Sequence, residues 1–477
     1  MTGAVREAAL NLCALAIVAT VIPLVMIQIP DAVAWVVPPR VAAAGPDAVA
    51  SLLRASGLAL PAMAVAGSLA ALMVARQQHR AGPVLLTGLL ILAAADALGG
   101  VTRTVALIGV DRALHGAGAG IAMAGVVAVV AERRPRRRPQ PQAPNGGRRA
   151  LAGCWAAFTV AGLATAPELM RHRVGSGDWG VALQPFPWLT GAALVLGALY
   201  ALLAEGTAIT AARSLFPAAE RAQLALLTVP VAGICAIALA VTYPGGHAVT
   251  AAAVADALAL AGIAVITARA ATAARFAVVC AVTGFTVSPA AGAVTALTRS
   301  TAFSGGAVLI AALGGAGLAL LTRHPHARAV TATGLSVTAV GLAALDLAGP
   351  AAASGHLLAL LAIPVAGGLA AALAAALRTA GATGALAGVV ILLAGLVAGY
   401  LAAGAVQLRA IAGTATAPAA RAALATAAGH WALVAAAVTG AVALAMAGTP
   451  VRRRAGRPGE IAGATPVLGA GAIPDHG

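Results

Sequence analysis

Residues 104–131 read TVALIGVDRALHGAGAGIAMAGVVAVVA, twenty-eight residues broken by a single pair of charges, Asp111 and Arg112. The run is far too long for a buried strand. Nothing in it marks a water-facing stripe, and a helix that is apolar all round belongs inside a large core or across a bilayer. About 20 such residues cross the hydrocarbon layer. The rest of the chain decides between the two. It has 477 residues, of which 61% are hydrophobic and 9% charged. A soluble domain carries about 25% charge, so this chain cannot clothe a water-facing surface.

Cutting the apolar runs at charge, Gly and Pro clusters places helices at 8–29, 51–75, 83–101, 104–131, 150–168, 186–204, 223–242, 246–267, 276–297, 303–322, 331–349, 354–377, 382–405 and 426–448. The expected fold class is an all-α membrane protein of about fourteen spanning helices. A closed barrel is excluded, because the runs are continuous rather than alternating. The first run is too long for a secretory signal, and no polar mature domain follows it.

Charge adds a direction. The formal net charge is +16, and all 30 basic residues are arginine. Without lysine there is neither a Walker A phosphate loop nor a Schiff base. With the N-terminus in the cytoplasm, the inside loops hold Arg6; Arg76 and Arg80; seven arginines from Arg133 to Arg149; Arg213 and Arg221; Arg269 and Arg275; Arg323 and Arg328; Arg378; and four from Arg452 to Arg457, or 21 of the 30. That is the positive-inside bias, and it puts both termini in the cytoplasm. The one long basic run, RRPRRRPQPQAPNGGRR at 133–149, reads as a solvated loop held near anionic lipid rather than a nucleic-acid site. Cys13, Cys154, Cys235 and Cys280 lie inside apolar runs without C-x-x-C spacing and read as core residues.

A faint repeat divides the chain. Arg76-Gln-Gln-His79-Arg80 precedes Thr87-Gly88-Leu89, and Arg323-His324-Pro-His326-Ala-Arg328 precedes Thr333-Gly334-Leu335. Parallel repeats of this kind are a transporter plan. The expected domains are a six-helix bundle at 1–204, two extra central helices at 205–272, a second six-helix bundle at 273–450 and a disordered tail at 451–477.

The fourth helix, Asp111-Arg112-Ala-Leu-His115-Gly116-Ala-Gly118-Ala-Gly120, resembles the R-x-x-Q-G-x-G-A motif of the major facilitator superfamily, with His115 in place of Gln. Gly67 through Arg80 resembles the loop motif G-x-x-x-D-R-x-G-R-R, with Arg76 standing near the Asp. Ala166-Pro167 is similar to the Gly-Pro of the antiporter motif. Asp178-Trp179 and Pro185-Phe186-Pro187 resemble the W-R-W-x-F-x-x-N-x-P that follows it, and Arg378 through Tyr400 resembles the R-Q-x-G-G-A-x-G-x-A stretch. The layout resembles that of the fourteen-helix drug:proton antiporters. That branch carries an Asp on helix 1; aligning on Pro30 puts Val21 there.

Charges at bilayer depth need a partner or a wet cavity. Arg112, Asp96 and His115 are therefore the candidate substrate or coupling residues. Arg112 stands out because the resemblance places it facing a cavity, and His115 because it lies one turn away and titrates near neutral pH. Asp111, adjacent to Arg112, is expected to point elsewhere. Asp256 and Asp346 are the remaining intramembrane acids. Gly116 and Gly120, spaced G-x-x-x-G, are expected to pack helices closely; Pro167, Arg76 and Arg80 complete the conformational motif set. No metal or cofactor site and no nucleophile constellation is expected. The functional expectation is a plasma-membrane secondary transporter exporting an apolar or amphipathic small molecule, with protons as the possible second partner. The alternative is a transport-dead relative serving as a scaffold or partner subunit.

The arginine partition yields the first test. After Gln142→Cys in a cysteine-free background, an impermeant thiol reagent added outside intact cells should leave the site unlabelled. Labelling there would overturn the orientation.

Overall fold

The computed structural model describes residues 3–30, 33, 41, 43–77, 81–102, 104–132, 146–174, 179–184, 186–205, 218–240, 246–268, 274–297, 305–322, 326–348, 355–412, 414 and 416–448. Every long element among them is an α-helix: α1 Gly3–Ile27, α2 Pro46–Ser56, α3 Ala59–Gln77, α4 Ala81–Gly99, α5 Val105–Glu132, α6 Gly146–Val174, α7 Trp179–Leu183, α8 Pro187–Glu205, α9 Ala218–Ala240, α10 Gly246–Ala268, α11 Ala274–Leu297, α12 Gly305–Leu321, α13 Ala327–Ala348, α14 Gly355–Thr379, α15 Ala382–Ile411 and α16 Ala417–Gly448. Eleven stretches are long and apolar enough to cross a membrane, α2 and α3 together forming one of them; three shorter apolar stretches lie in α10, α11 and α12. The chain is an all-α, multi-pass membrane protein. The loop 133–145, Arg80 and the tail 451–477 lie outside the described residues.

Some boundaries differ from those expected. Pro167 lies inside α6, which runs on to Val174, where the apolar run predicted a stop at 168. Proline removes one backbone donor, and a membrane helix tolerates that when neighbours support it. The α16 helix starts nine residues before its apolar run, at Ala417. The second span breaks between Ser56 and Ala59, a division that hydropathy does not record.

The packing repeats along the chain. Helix α5 is wedged between α3 and α4, and α14 between α12 and α13. Likewise α1 packs on α6 as α11 packs on α15, and α4 meets α8 as α13 meets α16. Across the middle, α6 packs on α12 and α14, while α15 packs on α3 and α5. Helices α9 and α10 sit against α3, α15 and α11. The Thr-Gly-Leu echo falls on matched seats: Gly88 of α4 lies on the backbone of Ala122 in α5, and Gly334 of α13 on the backbone of Gly368 and Ala372 in α14.

Glycine is what lets these helices approach. A side chain at Gly116 would enter the carbonyl of Ala59, and one at Gly120 the carbonyl of Met63, both on α3. On the opposite flank of α5, Gly118 and Gly125 lie on the backbones of Leu92 and Leu85 in α4. With no hydrophobic drive between helices in lipid, such close backbone packing supplies the attraction.

Arginines close helix ends. Arg6 of α1 donates to the Leu203 carbonyl at the end of α8, 3.0 Å from Nε and 2.7 Å from Nη2. Arg328 of α13 donates to the Met446 carbonyl (2.6 Å) at the end of α16. Arg378 of α14 donates to the Thr322 carbonyl (3.1 Å) just past the end of α12. The last carbonyls of a helix lack intrahelical partners and form the negative pole of its dipole, so a cation there is favourable. These three ends lie on the side of the molecule where α1 begins. On that side Val126–Val130 of α5, Leu369–Leu377 of α14 and Thr383–Gly399 of α15 are buried at every position. Towards the far side, Leu107, Val110, Leu360, Ile363 and Leu408 are exposed. Helices α5, α14 and α15 are thus buried throughout near the side where α1 begins, and partly exposed near the other.

Glycine contact implies a measurable asymmetry. Gly120→Val should cost more than the roughly 1–3 kcal/mol typical of an overpacked core, because backbone cannot yield. Gly191, with nothing within 4 Å of a built Cβ, should accept valine unchanged. Thermal unfolding and monodispersity in detergent read both; equal effects would contradict the wedge.

Candidate functional site

Three of the sequence-predicted residues meet near the far ends of α4 and α5. Asp96 is 7% exposed, Arg112 2% and His115 0%. His115 Nε2 lies 3.1 Å from Asp96 Oδ1, joining α5 to α4. On its other edge, Nδ1 lies 3.1 Å from the Asp111 carbonyl oxygen and 3.3 Å from Asp111 Oδ2. Asp111 is fully buried. Its side chain does point away from Arg112, but towards His115, four residues on. Sequence spacing held that signal, since i and i+4 share a face, and Asp111 was nevertheless absent from the candidate set.

Arg112 turns to other helices. It donates from Nη2 to the carbonyls of Gln28 (3.0 Å) and Pro30 (3.5 Å), just past the end of α1, and from Nε to that of Ser56 (3.4 Å), the last residue of α2. This is the capping device of the opposite side, applied by a buried arginine. Val21, where the resembled branch has an acid, is fully buried in α1.

The electrostatics follow from counting. The set holds two carboxyl groups, one guanidinium, which stays protonated, and one imidazole. Both ring nitrogens of His115 face oxygen atoms, so a neutral ring paired with an ionised Asp96 would leave one nitrogen lone pair opposed to an oxygen. One added proton, on the ring or on Asp96, satisfies the pair and brings the set to neutrality. Removing it leaves a net negative charge in a low-dielectric place, where charge is expensive. Asp96 Oδ2 and Asp111 Oδ1 have no hydrogen-bond partner among the described residues. The short α7 closes over the set: Leu183 lies beside Gly99, and Gly99 beside Asp111 Oδ1.

The other predicted positions lie apart from this set. Gly116 and Gly120 lie on the α3 contact described above. Pro167 is buried in α6, next to Glu168, whose Oε1 pairs with Arg171 Nη2 (2.9 Å) and His172 Nε2 (2.7 Å). Arg76 is exposed in the last turn of α3. At that end the first amide of α4, that of Ala81, is capped across the helix pair by Glu132 of α5 (2.7 Å), a contact that sequence reading missed. Asp346 is partly exposed in α13, and Asp256 is fully buried in α10.

No family model matches the sequence, and no curated protein does. Solved structures do. The chain is similar to the major facilitator superfamily proton:xylose symporter XylE bound to 6-bromo-6-deoxy-D-glucose, at 13% identity and a TM-score of 0.52 over 91% of this chain and 94% of that one. It is similar to a POT family transporter in complex with a thioalcohol-conjugated peptide, at 13% identity and TM-score 0.57 over 92% and 96%. It is also similar to a D-xylose-proton symporter, at 15% identity and TM-score 0.55 over 92% and 96%. The chain thus has the fold seen in major facilitator superfamily and POT family transporters.

Proposed function

We propose that this protein is a secondary active transporter of the plasma membrane, driven by protons and working by alternating access. The observation that carries the reading is His115 held between Asp96 and Asp111 beside Arg112, a buried set whose net charge changes with one proton. In this reading the units 1–204 and 273–450 rock against each other, 205–272 is an accessory helix pair, and both termini face the cytoplasm. Arg112 cannot carry the proton, so Asp96 and His115 do, with Arg112 setting the proton affinity of either through its distance. The basic loop 133–149 rests near anionic lipid on the cytoplasmic side.

Export of an apolar or amphipathic small molecule, in the manner of the fourteen-helix drug:proton antiporters, is the substrate class we favour. Five of the buried hydroxyls support it, although Thr159 Oγ1 and the Trp155 and Trp431 indole nitrogens have no partner among the described residues. Thr283, Thr286, Thr331, Thr338 and Thr439 all donate to the carbonyl four residues back in their own helices. Donors spent in this way are not offered to a sugar or peptide, whose recognition needs several placed polar groups. The second reading, a scaffold without transport, is favoured by one observation, the buried Val21 where the resembled branch has its acid.

Transport in vesicles with an imposed pH gradient separates the two. Arg112→Ala should abolish transport. Asp96→Asn or His115→Gln should lower gradient-driven flux about 5-fold to 150-fold, the span of a coupling free energy of about 1–3 kcal/mol, while substrate exchange persists. Full gradient-driven activity in both mutants would end the coupling assignment. Equal accumulation of every dye and antibiotic tested, with and without the expressed protein, would favour the scaffold.

A further inference from the structure

Asp256 lies outside the His115 set, in the extra helix pair that the transport reading leaves unused. It is fully buried, and neither of its carboxylate oxygens has a hydrogen-bond partner among the described residues. It stands ten residues after the first residue of α10 and twelve before the last, so about 15 Å of helix rise separates it from one end and about 18 Å from the other. Aspartate at mid-membrane depth is costly as an anion and is retained where it does something.

The described groups around it offer no cation. Helix α10 packs on α15, α11 and α9. On α9 the described ionisable side chains are Cys235, within electrostatic reach of Asp256, and Arg221, near the helix start. The Cys235 thiol is already directed to the Pro61 carbonyl of α3, at 3.6 Å. On α11 they are Cys280, buried in the core, and Arg275, the second residue of the helix. On α15 there are Tyr400, partly buried, and Arg409, exposed and one turn beyond Ala405. Ala405 packs on Val249 and Ala253 of α10. Arg409 therefore stands roughly 10 Å along the axis from the level of Asp256, by seven residues of rise.

We propose that Asp256 is a proton-binding site, holding an uncharged carboxylic acid between α9, α10 and α15, and that this proton keeps the helix pair seated on α3 and α15. The ligand is the proton itself. Loss of it would create an unpaired anion in an apolar seam, and the carboxylate would be drawn towards water, opening the contact that covers Cys235. This does not depend on the transport reading, since it concerns the accessory pair.

Two measurements on the full-length protein in lipid vesicles test it. Infrared spectra at neutral pH should show a carboxylic-acid carbonyl band that Asp256→Asn removes and Asp256→Glu retains at a shifted position. With Cys13, Cys154 and Cys280 replaced, labelling of Cys235 by a membrane-permeant maleimide should rise several-fold more on going to alkaline pH in the parent than in Asp256→Asn. The chemical bias runs the other way, because removing a nearby negative charge makes the thiol easier to ionise. Should Asp256→Asn fail to fold, the shift between parent and Asp256→Glu decides the infrared test. A folded protein whose acid band is indifferent to Asp256, or Cys235 labelling that follows one pH curve in both proteins, would overturn the proposal.

Discussion

In hydrocarbon, every charge and every unpaired helix-end carbonyl has to find its partner inside the protein. This chain meets that constraint with 30 arginines and only 14 acids, so salt bridges cannot serve for most of its cations. The solution is to pair arginine with backbone. Arg6, Arg328 and Arg378 cap helix ends on the termini side, and Arg112 does the same for the ends of α1 and α2. A guanidinium suits the task because its planar fork presents several donors and never loses its charge. Arg112 differs from the others in one respect: it stands beside two buried acids and a histidine.

That site exists only because glycine lets α5 sit between two neighbours. With Gly116 and Gly120 on the α3 flank and Gly118 and Gly125 on the α4 flank, the helix lies close enough for His115 to reach Asp96 across the α4 contact. On the same helix, Arg112 reaches past α1 to Gln28. A proton gained or lost at the His115–Asp96 pair therefore acts at a junction of four helices. In the proposed function this is how protonation is felt by the outer ends of α1 and α2, and through them by the packing of the whole first unit.

Much of the fold was legible before the structure. The fourteen runs follow from bilayer thickness and the scarcity of charge, and the structure supplies a helix for each. Helix ends were less legible: α6 continues through Pro167, and α16 begins at Ala417 over residues with no strong apolar signal. At the site, scarcity again did the selecting, since a charge inside an apolar run is conspicuous. The partners were hidden for a physical reason. A carbonyl acceptor has no side chain to read, so nothing in the sequence pairs Arg112 with Gln28 or Arg328 with Met446. Asp111 was hidden differently: adjacency to Arg112 says that the two diverge, but only the fold says that Asp111 lies under His115.

The central claim of the proposed function is that this molecule alternates between the present form, with α5, α14 and α15 buried throughout near the side where α1 begins, and its converse. Spin labels at Val5 and Leu321 report on the termini side, and labels at Leu107 and Leu360 on the far side; all four residues are exposed. Double electron–electron resonance in nanodiscs across a range of pH measures both distances. The account predicts opposite changes, with the Val5–Leu321 distance growing as the Leu107–Leu360 distance shrinks, and the shift lost in Arg112→Ala. Two distance distributions that stay fixed under every condition would contradict it.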